Sequence, residues 1–167
     1  EAVFTVDEEI GLLGASALDT APLKGKYLIN LDSEEEGILW AGCAGGMTSI
    51  SELPVNYQER TGIRYDIKVD GLLGGHSGAE IDKIRANATL LLARFLHEFR
   101  EFGEFGLISL SGGQKDNAIP RQAEASVLTE QEDGEKLVSY AAEFTQMLRK
   151  EYTGTDAVSY THLTLPT

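Results

Sequence analysis

From Ile63 to Asp70, apolar and polar residues alternate without a break. Ile63, Tyr65, Ile67 and Val69 fall on one side, and Arg64, Asp66, Lys68 and Asp70 on the other. A period of two predicts a strand with one buried face and one wet face. Ala123, Ala125 and Val127, set against Gln122, Glu124 and Ser126, predict another such strand. Leu107–Ser111 is a shorter candidate, and Leu53, Val55 and Tyr57 suggest a partner ahead of the first. The spacing between these strands is helical. Ile81, Ile84, Ala88, Leu91, Leu92, Phe95, Leu96 and Phe99 make one apolar stripe, with Asp82, Arg85, Arg94, Glu98 and Glu101 largely off it. Ser77, followed by Glu80, has the form of a capping box at the start of this helix, and Gly103 ends it. A second helix is predicted over residues 134–152, with Leu137, Ala141, Phe144 and Leu148 as its stripe. Half-wet strands with helices on one face make an α+β layer.

The pattern before residue 49 is different. Glu1–Val6, Lys26–Leu31 and Ile38–Gly42 read as short strands apolar on both faces, and the first two run into carboxylates. Such strands belong to an α/β sheet, where ligands gather at the C-terminal ends. The chain therefore divides into 1–48 (α/β), 49–157 (α+β) and 158–167. The last stretch, Val-Ser-Tyr-Thr-His-Leu-Thr-Leu-Pro-Thr, fits neither pattern. It reads as a non-native tail of the kind translated from sequencing-adaptor DNA, to be left out of the fold.

Composition narrows the function. The 167 residues carry 14 Lys and Arg against 27 Asp and Glu, a formal charge of −13. Such a surface repels nucleic-acid phosphates and anionic membranes, so neither is an expected partner. No apolar run approaches the roughly 20 residues that span a bilayer. The single Cys43 excludes an internal disulfide framework and a Cys-rich metal site. A reducing, cytoplasmic setting follows as the simplest reading, with Cys43 itself as a small packing residue.

Three stretches carry candidate chemistry: Thr5-Val6-Asp7-Glu8-Glu9-Ile10-Gly11, Asn30-Leu31-Asp32-Ser33-Glu34-Glu35-Glu36-Gly37 and Gly74-Gly75-His76-Ser77-Gly78. Carboxylates can hold a metal ion that lowers the pKa of bound water to about 7, and a carboxylate that is not a ligand can take the water's proton. Adjacent residues in extended chain point to opposite sides, so Glu8 and Glu9 serve one site only if the chain bends; Gly11 and Gly14 make room for a bend. Glu34, Glu35 and Glu36 read as a solvated turn. The His-Ser-Gly loop has three readings. In one, the glycines and Ser77 simply make a capped turn. In the next, Gly75–Ala79 comes close to a nucleophile elbow, but Ala79 stands where the last Gly belongs, and only His97 and His162 remain downstream as bases.

The third reading follows a resemblance. In this order the stretches resemble the core of the aminoacyl-histidine dipeptidases, cytosolic two-zinc enzymes related to carboxypeptidase G and the aminoacylases. The resemblance runs from Glu1 to about Lys150 and includes Gly42-Cys43-Ala44-Gly45-Gly46 and Asn117-Ala118-Ile119-Pro120. It implies that residues 1–48 are part of a zinc-peptidase catalytic domain and 49–157 part of a lid and dimerisation domain. It implies Glu8 as the general base, Glu9 as a ligand of one zinc and Asp32 as a ligand of the other. His76, on a lid loop, would steady the oxyanion or grip substrate, and Asn117 would contact substrate. The implied substrate is a dipeptide with C-terminal histidine, and the implied partner a second copy joined through the lid.

The sequence also departs from the family. A His-x-Asp upstream of Glu8 and a late histidine, which complete the family's zinc ligands, have no counterpart here. Two carboxylates hold zinc poorly without them. The expectation is a fragment that is inactive by itself and binds no zinc stably. The other readings are a related di-zinc amidohydrolase (a tripeptidase or acyl-amino-acid deacylase) and a non-catalytic dimerisation module.

Overall fold

A computed structural model describes residues 1–32, 35–43, 45, 47–156 and, for the backbone, 160–164. Readings that involve Ser33, Glu34, Ala44, Gly46 or the rest of the final stretch fall outside the described residues. The chain forms two compact units, Glu1–Met47 and Thr48–Thr167.

Glu1–Met47 has one regular element, the four-residue helix α1 (Leu13–Ser16), among its described residues. The strands expected at Glu1–Val6, Lys26–Leu31 and Ile38–Gly42 do not form. A strand apolar on both faces needs neighbours along its edges and cover on each side. Within this unit it has neither: Phe4 is 94%, Leu28 95% and Leu39 99% exposed. Cys43 is exposed as well, which overturns its reading as a packing residue.

Thr48–Thr167 is built on a sheet. In chain order its elements are β1 (Ile63–Asp70), β2 (Gly75–His76), α2 (Ala88–Phe99), β3 (Gly106–Gly112), β4 (Ala118–Ile119), β5 (Ala123–Thr129), α3 (Gln131–Glu151) and β6 (Tyr160–Thr164). Four strands lie in the order β3-β5-β1-β6. Every pairing is antiparallel. This is the split βαβ arrangement, in which each helix carries the chain between strands that are not sheet neighbours. The partner strand expected at Leu53–Tyr57 is absent: that segment has no regular structure, and the neighbours of β1 are β5 and β6.

The register of β1 on β5, from Ile63 opposite Thr129 to Val69 opposite Ala123, stacks the alternating residues of both strands. Tyr65, Ile67, Val69, Ala123, Ala125 and Val127 are all buried under the two helices. On the wet face Arg64 pairs with Asp66 at 2.8 Å, and Lys68 reaches Asp70 and Glu124 at 3.1 Å each. Ser126 donates its hydroxyl to Asp66, and this bond, followed by Arg64, holds the Asp66 carboxyl below its usual range.

The helices meet over an aromatic cluster. The Phe95 ring stacks on Tyr140 at 5.2 Å and meets Phe144 edge-on at 5.3 Å, a geometry that adds to simple area burial. Arg94, expected on the wet side, ties the two helices together. It reaches Glu98 at 3.0 Å and Glu151 at 2.8 Å, and lies over the Phe144 ring. Tyr140 donates to Glu98, and burial pushes the Tyr140 phenol above its usual range.

Two element boundaries differ from expectation. α2 begins at Ala88, not near Ser77, so Ile81 and Ile84 are exposed and not part of the stripe. A single 3-10 turn at Ile81–Lys83 and a left-handed Ile84 interrupt the helical spacing. Asn87 is the cap instead: its side-chain oxygen accepts from the N–H groups of Thr89 and Leu90 at 3.0 and 3.2 Å. α3 begins at Gln131, with Glu132 and Asp133 in its first turn and Arg149 and Lys150 in its last, each favourable to the helix dipole. The backbone of Tyr160–Thr164, read from sequence as outside the fold, pairs antiparallel with β1 from Asp66 to Asp70. An unpaired strand edge is a template for extended chain, and β1 has one there.

Gly134 sits in α3 directly over Tyr65, where an added Cβ would overlap the ring. Helix propensity alone favours Ala over Gly by about 1 kcal/mol, whereas overpacking a core costs about 1–3 kcal/mol. We expect Gly134→Ala to lower the urea midpoint of unfolding. A raised midpoint would show that Tyr65 moves aside freely.

Candidate functional site

The glycine-rich loop after β1 leads into the short ladder of β2 and β4. His76 lies opposite Ala118, and Gly75 opposite Ile119. The N–H of Ser77 donates to the Asn117 carbonyl at 2.9 Å. Two residues more than forty positions apart in sequence, His76 and Asn117, are thereby brought side by side, both exposed. A concave surface of about 580 Å³ flanks this ladder, lined by Gly75, Ala118, Leu73, Gln114 and the opposed charges Asp70 and Arg121.

The loop backbone is held at almost every step by a side chain. Arg121 donates to the Leu72 carbonyl at 3.1 Å, and Asp156 accepts from the Leu73 N–H at 2.7 Å. Arg85 donates to the Gly74 carbonyl, and Glu80 accepts from the His76 N–H at 3.0 Å. The other carboxylate oxygen of Asp156 accepts from the Ala86 N–H at 2.6 Å. Asp156, buried to 2% exposure, thus closes the two ends of a loop that runs from Leu73 to Ala86. Glu80 also pairs with Lys83 at 2.7 Å and Arg85 at 2.9 Å. The Lys83 bond, then the His76 N–H, then Arg85 pull the Glu80 carboxyl down to about 2, so it is charged at any physiological pH.

Sequence reading put Ser77 at the cap of a helix. The structure puts His76 in a comparable role: its Nδ1 accepts from the N–H groups of Gly78 and Ala79, each at 3.0 Å. Glu80 serves the His76 N–H, much as a capping-box acid serves its cap residue. The nucleophile-elbow reading gains nothing from this geometry, because Ser77 is exposed and no histidine bond to it is present among the described residues.

The acids of the first unit stand apart from one another in their contacts. Glu8 and Glu9 sit in a turn where the Gly11 and Leu12 N–H groups return to the Glu8 carbonyl at 3.1 and 3.0 Å. Asp7 and Gly11 have positive φ, and Gly14 donates to the Val6 carbonyl at 3.1 Å, so the chain does bend here. A Cβ on Gly14 would strike the Val6 backbone, so glycine is required. Asp32 takes an N–H bond to the Asn30 side chain at 3.3 Å and lines a groove of about 1060 Å³ with Leu28, Ile38, Trp40 and Cys43. Neither Glu8 nor Glu9 lines that groove. Among the described residues no group of three or more His, Cys, Asp or Glu is placed to hold a metal ion.

Comparison with known proteins gives this geometry a context. Residues 67–156 match the family described as the peptidase dimerisation domain. The chain belongs to that family. It is 38% identical over 153 residues to the cytosol non-specific dipeptidase of Escherichia coli (strain K12), a match that covers 90% of this chain and 32% of the relative. It superposes on a crystal structure of aminoacylhistidine dipeptidase from Vibrio alginolyticus with a TM-score of 0.73 and 33% identity, covering 98% of this chain and 34% of that one. The chain therefore spans about a third of the length of these relatives. Most of the antiparallel sheet and both long helices of the second unit fall within the matched peptidase dimerisation domain. His76, Asn117 and Asp156 lie within the matched peptidase dimerisation domain; Glu8, Glu9 and Asp32 lie before it.

Sequence reasoning missed Asp156, Glu80 and Arg85 as the residues that hold the loop. In sequence Glu80 reads only as the acid of a capping box begun by Ser77. Asp156 follows a helix in Thr153-Gly154-Thr155-Asp156 with no periodic pattern around it, and its two partners lie about seventy and eighty residues away. Asp156→Asn replaces one acceptor oxygen by a donor, leaving either the half-buried Leu73 N–H or the buried Ala86 N–H without its partner. An unsatisfied buried group costs about 1–3 kcal/mol. We expect a stability loss of that size in chemical denaturation, and an unchanged midpoint would refute the role given to Asp156.

Proposed function

We propose that this chain is the middle part of a metal-dependent dipeptidase that acts on dipeptides with C-terminal histidine. The observation that carries the reading is the similarity, over nearly all of this chain, to two proteins that bear dipeptidase names. The exposed His76 and Asn117 support it, since the ladder brings their backbones close together and their neighbours Gly75 and Ala118 line a concave surface. In this reading both bind substrate, and the His76 ring donates to the oxygen that gains charge as the peptide bond is attacked. A donor so aimed is worth about 2.7–4 kcal/mol in catalysis. Glu8 is the general base, and its place in a bend lets it and the neighbouring Glu9 serve one site.

The metal is assigned to the whole protein and not to this chain. Glu9 and Asp32 are proposed ligands of two different zinc ions, but among the described residues no group of three or more donors makes a site for either. Zinc prefers four donors, usually with histidine or cysteine among them. No step of the reaction is therefore built here on a bound metal. We place the whole protein in the cytoplasm; among the described residues no helix is long and apolar enough to cross a membrane. We further propose that the lid, residues 49–157, joins a second copy through the edge of β3. Leu107, Ile108 and Leu110 on that edge are each about half exposed, and a bulge separates Leu107 from Ser109.

The test uses the complete gene product and this chain side by side. The complete protein, purified with zinc, should cleave X-His dipeptides, and His76→Ala should lower its kcat by about a hundredfold or more. The 167-residue chain alone should be inactive. A complete protein that binds two zinc ions yet cleaves no dipeptide would overturn the reading, as would turnover by the isolated chain.

A further inference from the structure

Two hydrogen bonds constrain the His76 ring, and two more hold its backbone. Nδ1 accepts from both Gly78 and Ala79, so it carries no proton. The remaining proton of a neutral imidazole then sits on Nε2. The backbone under the ring is held by Glu80, whose Oε2 accepts from the His76 N–H. Glu80 is in turn held by Arg85, which spans from Glu80 Oε1 to the Gly74 carbonyl. Gly75 completes the holder. It has a φ of +148°, and a Cβ there would strike both Glu80 and Arg85.

We propose that this holder fixes His76 as a neutral ring protonated on Nε2, and that Glu80 and Arg85 are its positioning residues. The ring then presents a single N–H to solvent as a donor, and its other nitrogen is spent on the loop. A neutral donor of fixed direction suits an oxygen that gains charge during a reaction, because the donor needs no reorientation at that moment. The catalytic use of that donor rests on the dipeptidase reading above, whereas the tautomer and its holder stand on this chain alone.

The direct experiment is long-range 1H–15N correlation NMR on the 167-residue chain at pH 8, with neither metal nor substrate. The unaltered chain should show two widely separated ring-nitrogen shifts for His76, with Nδ1 unprotonated and Nε2 protonated. In Glu80→Ala the two shifts should converge as the ring exchanges tautomers. Glu80→Gln keeps an acceptor for the His76 N–H but loses the charge that holds Arg85, and it should converge in part; it serves if the alanine variant fails to fold. Averaged shifts in the unaltered chain, or unchanged shifts in both variants, would overturn the proposal and leave the dipeptidase reading untouched. In the complete enzyme, Glu80→Ala should lower kcat about tenfold with KM within about twofold and zinc content unchanged. If instead the tautomer is fixed but kcat does not move, the holder stands and the role of His76 in turnover fails.

Discussion

One buried carboxylate joins the packed layer to the exposed loop. Asp156 follows the C-terminus of α3, and its two oxygens take the N–H groups of Leu73 and Ala86. Those residues bracket the whole stretch that carries the glycines, His76, Glu80 and Arg85. Without an acceptor at this point, two backbone donors beside the core would be unpaired, and the ends of the loop would have no common anchor. Hydrogen bonds to a charged group contribute about 1.5–3 kcal/mol each, more than a typical loop contact. The position of His76 is therefore set from the core outward: helix α3 fixes Asp156, Asp156 closes the loop, and Glu80 with Arg85 shape its interior.

The two units differ because burial differs. In Thr48–Thr167 the apolar faces of β1, β5, α2 and α3 meet one another. The inner residues of β1 and β5 lie under Phe95, Phe99, Phe144 and Leu148, all nearly inaccessible to water. In Glu1–Met47 the equally apolar Phe4, Leu28 and Leu39 meet almost nothing. Local sequence preference for strand is strong there, but the hydrogen-bond ladder needs partner strands, and no partner strand is present among the described residues. The described carboxylates at the ends of those segments, Glu8, Glu9 and Asp32, are consequently exposed. Residues 1–47 thus carry strand-like sequence without a sheet among the described residues, whereas Thr48–Thr167 builds one.

Much of the dimerisation domain was legible in sequence because its signals are periodic. The alternation from Ile63 to Val69 and from Ala123 to Val127 became the buried face of the sheet residue for residue. The stripe Leu137, Ala141, Phe144 and Leu148 became the buried side of α3. The failures came where a non-periodic contact overrode a local signal. Ser77 and Glu80 look like a helix start, yet the left-handed Ile84 and the cap at Asn87 postpone α2. The Glu80 carboxylate goes instead to His76, Lys83 and Arg85. Arg94 and Glu98 read as solvent-facing charges, but a second helix lay within reach of them. Asp156 gave no signal at all, because its meaning depends on two backbone groups far away in sequence. The proximity of His76 to Asn117 gave no periodic signal, since the ladder that pairs His76 with Ala118 is just two residues long on each side.

Native-state hydrogen exchange at the Leu73 and Ala86 amides tests the closing of this loop most directly. If Asp156 holds both groups as described, these two amides exchange as slowly as the central amides of β1 and β5, although they flank an exposed loop. If they exchange as fast as the unbonded amides near Gln114, the loop is not anchored to the core, and the chain of support that ends at His76 does not exist.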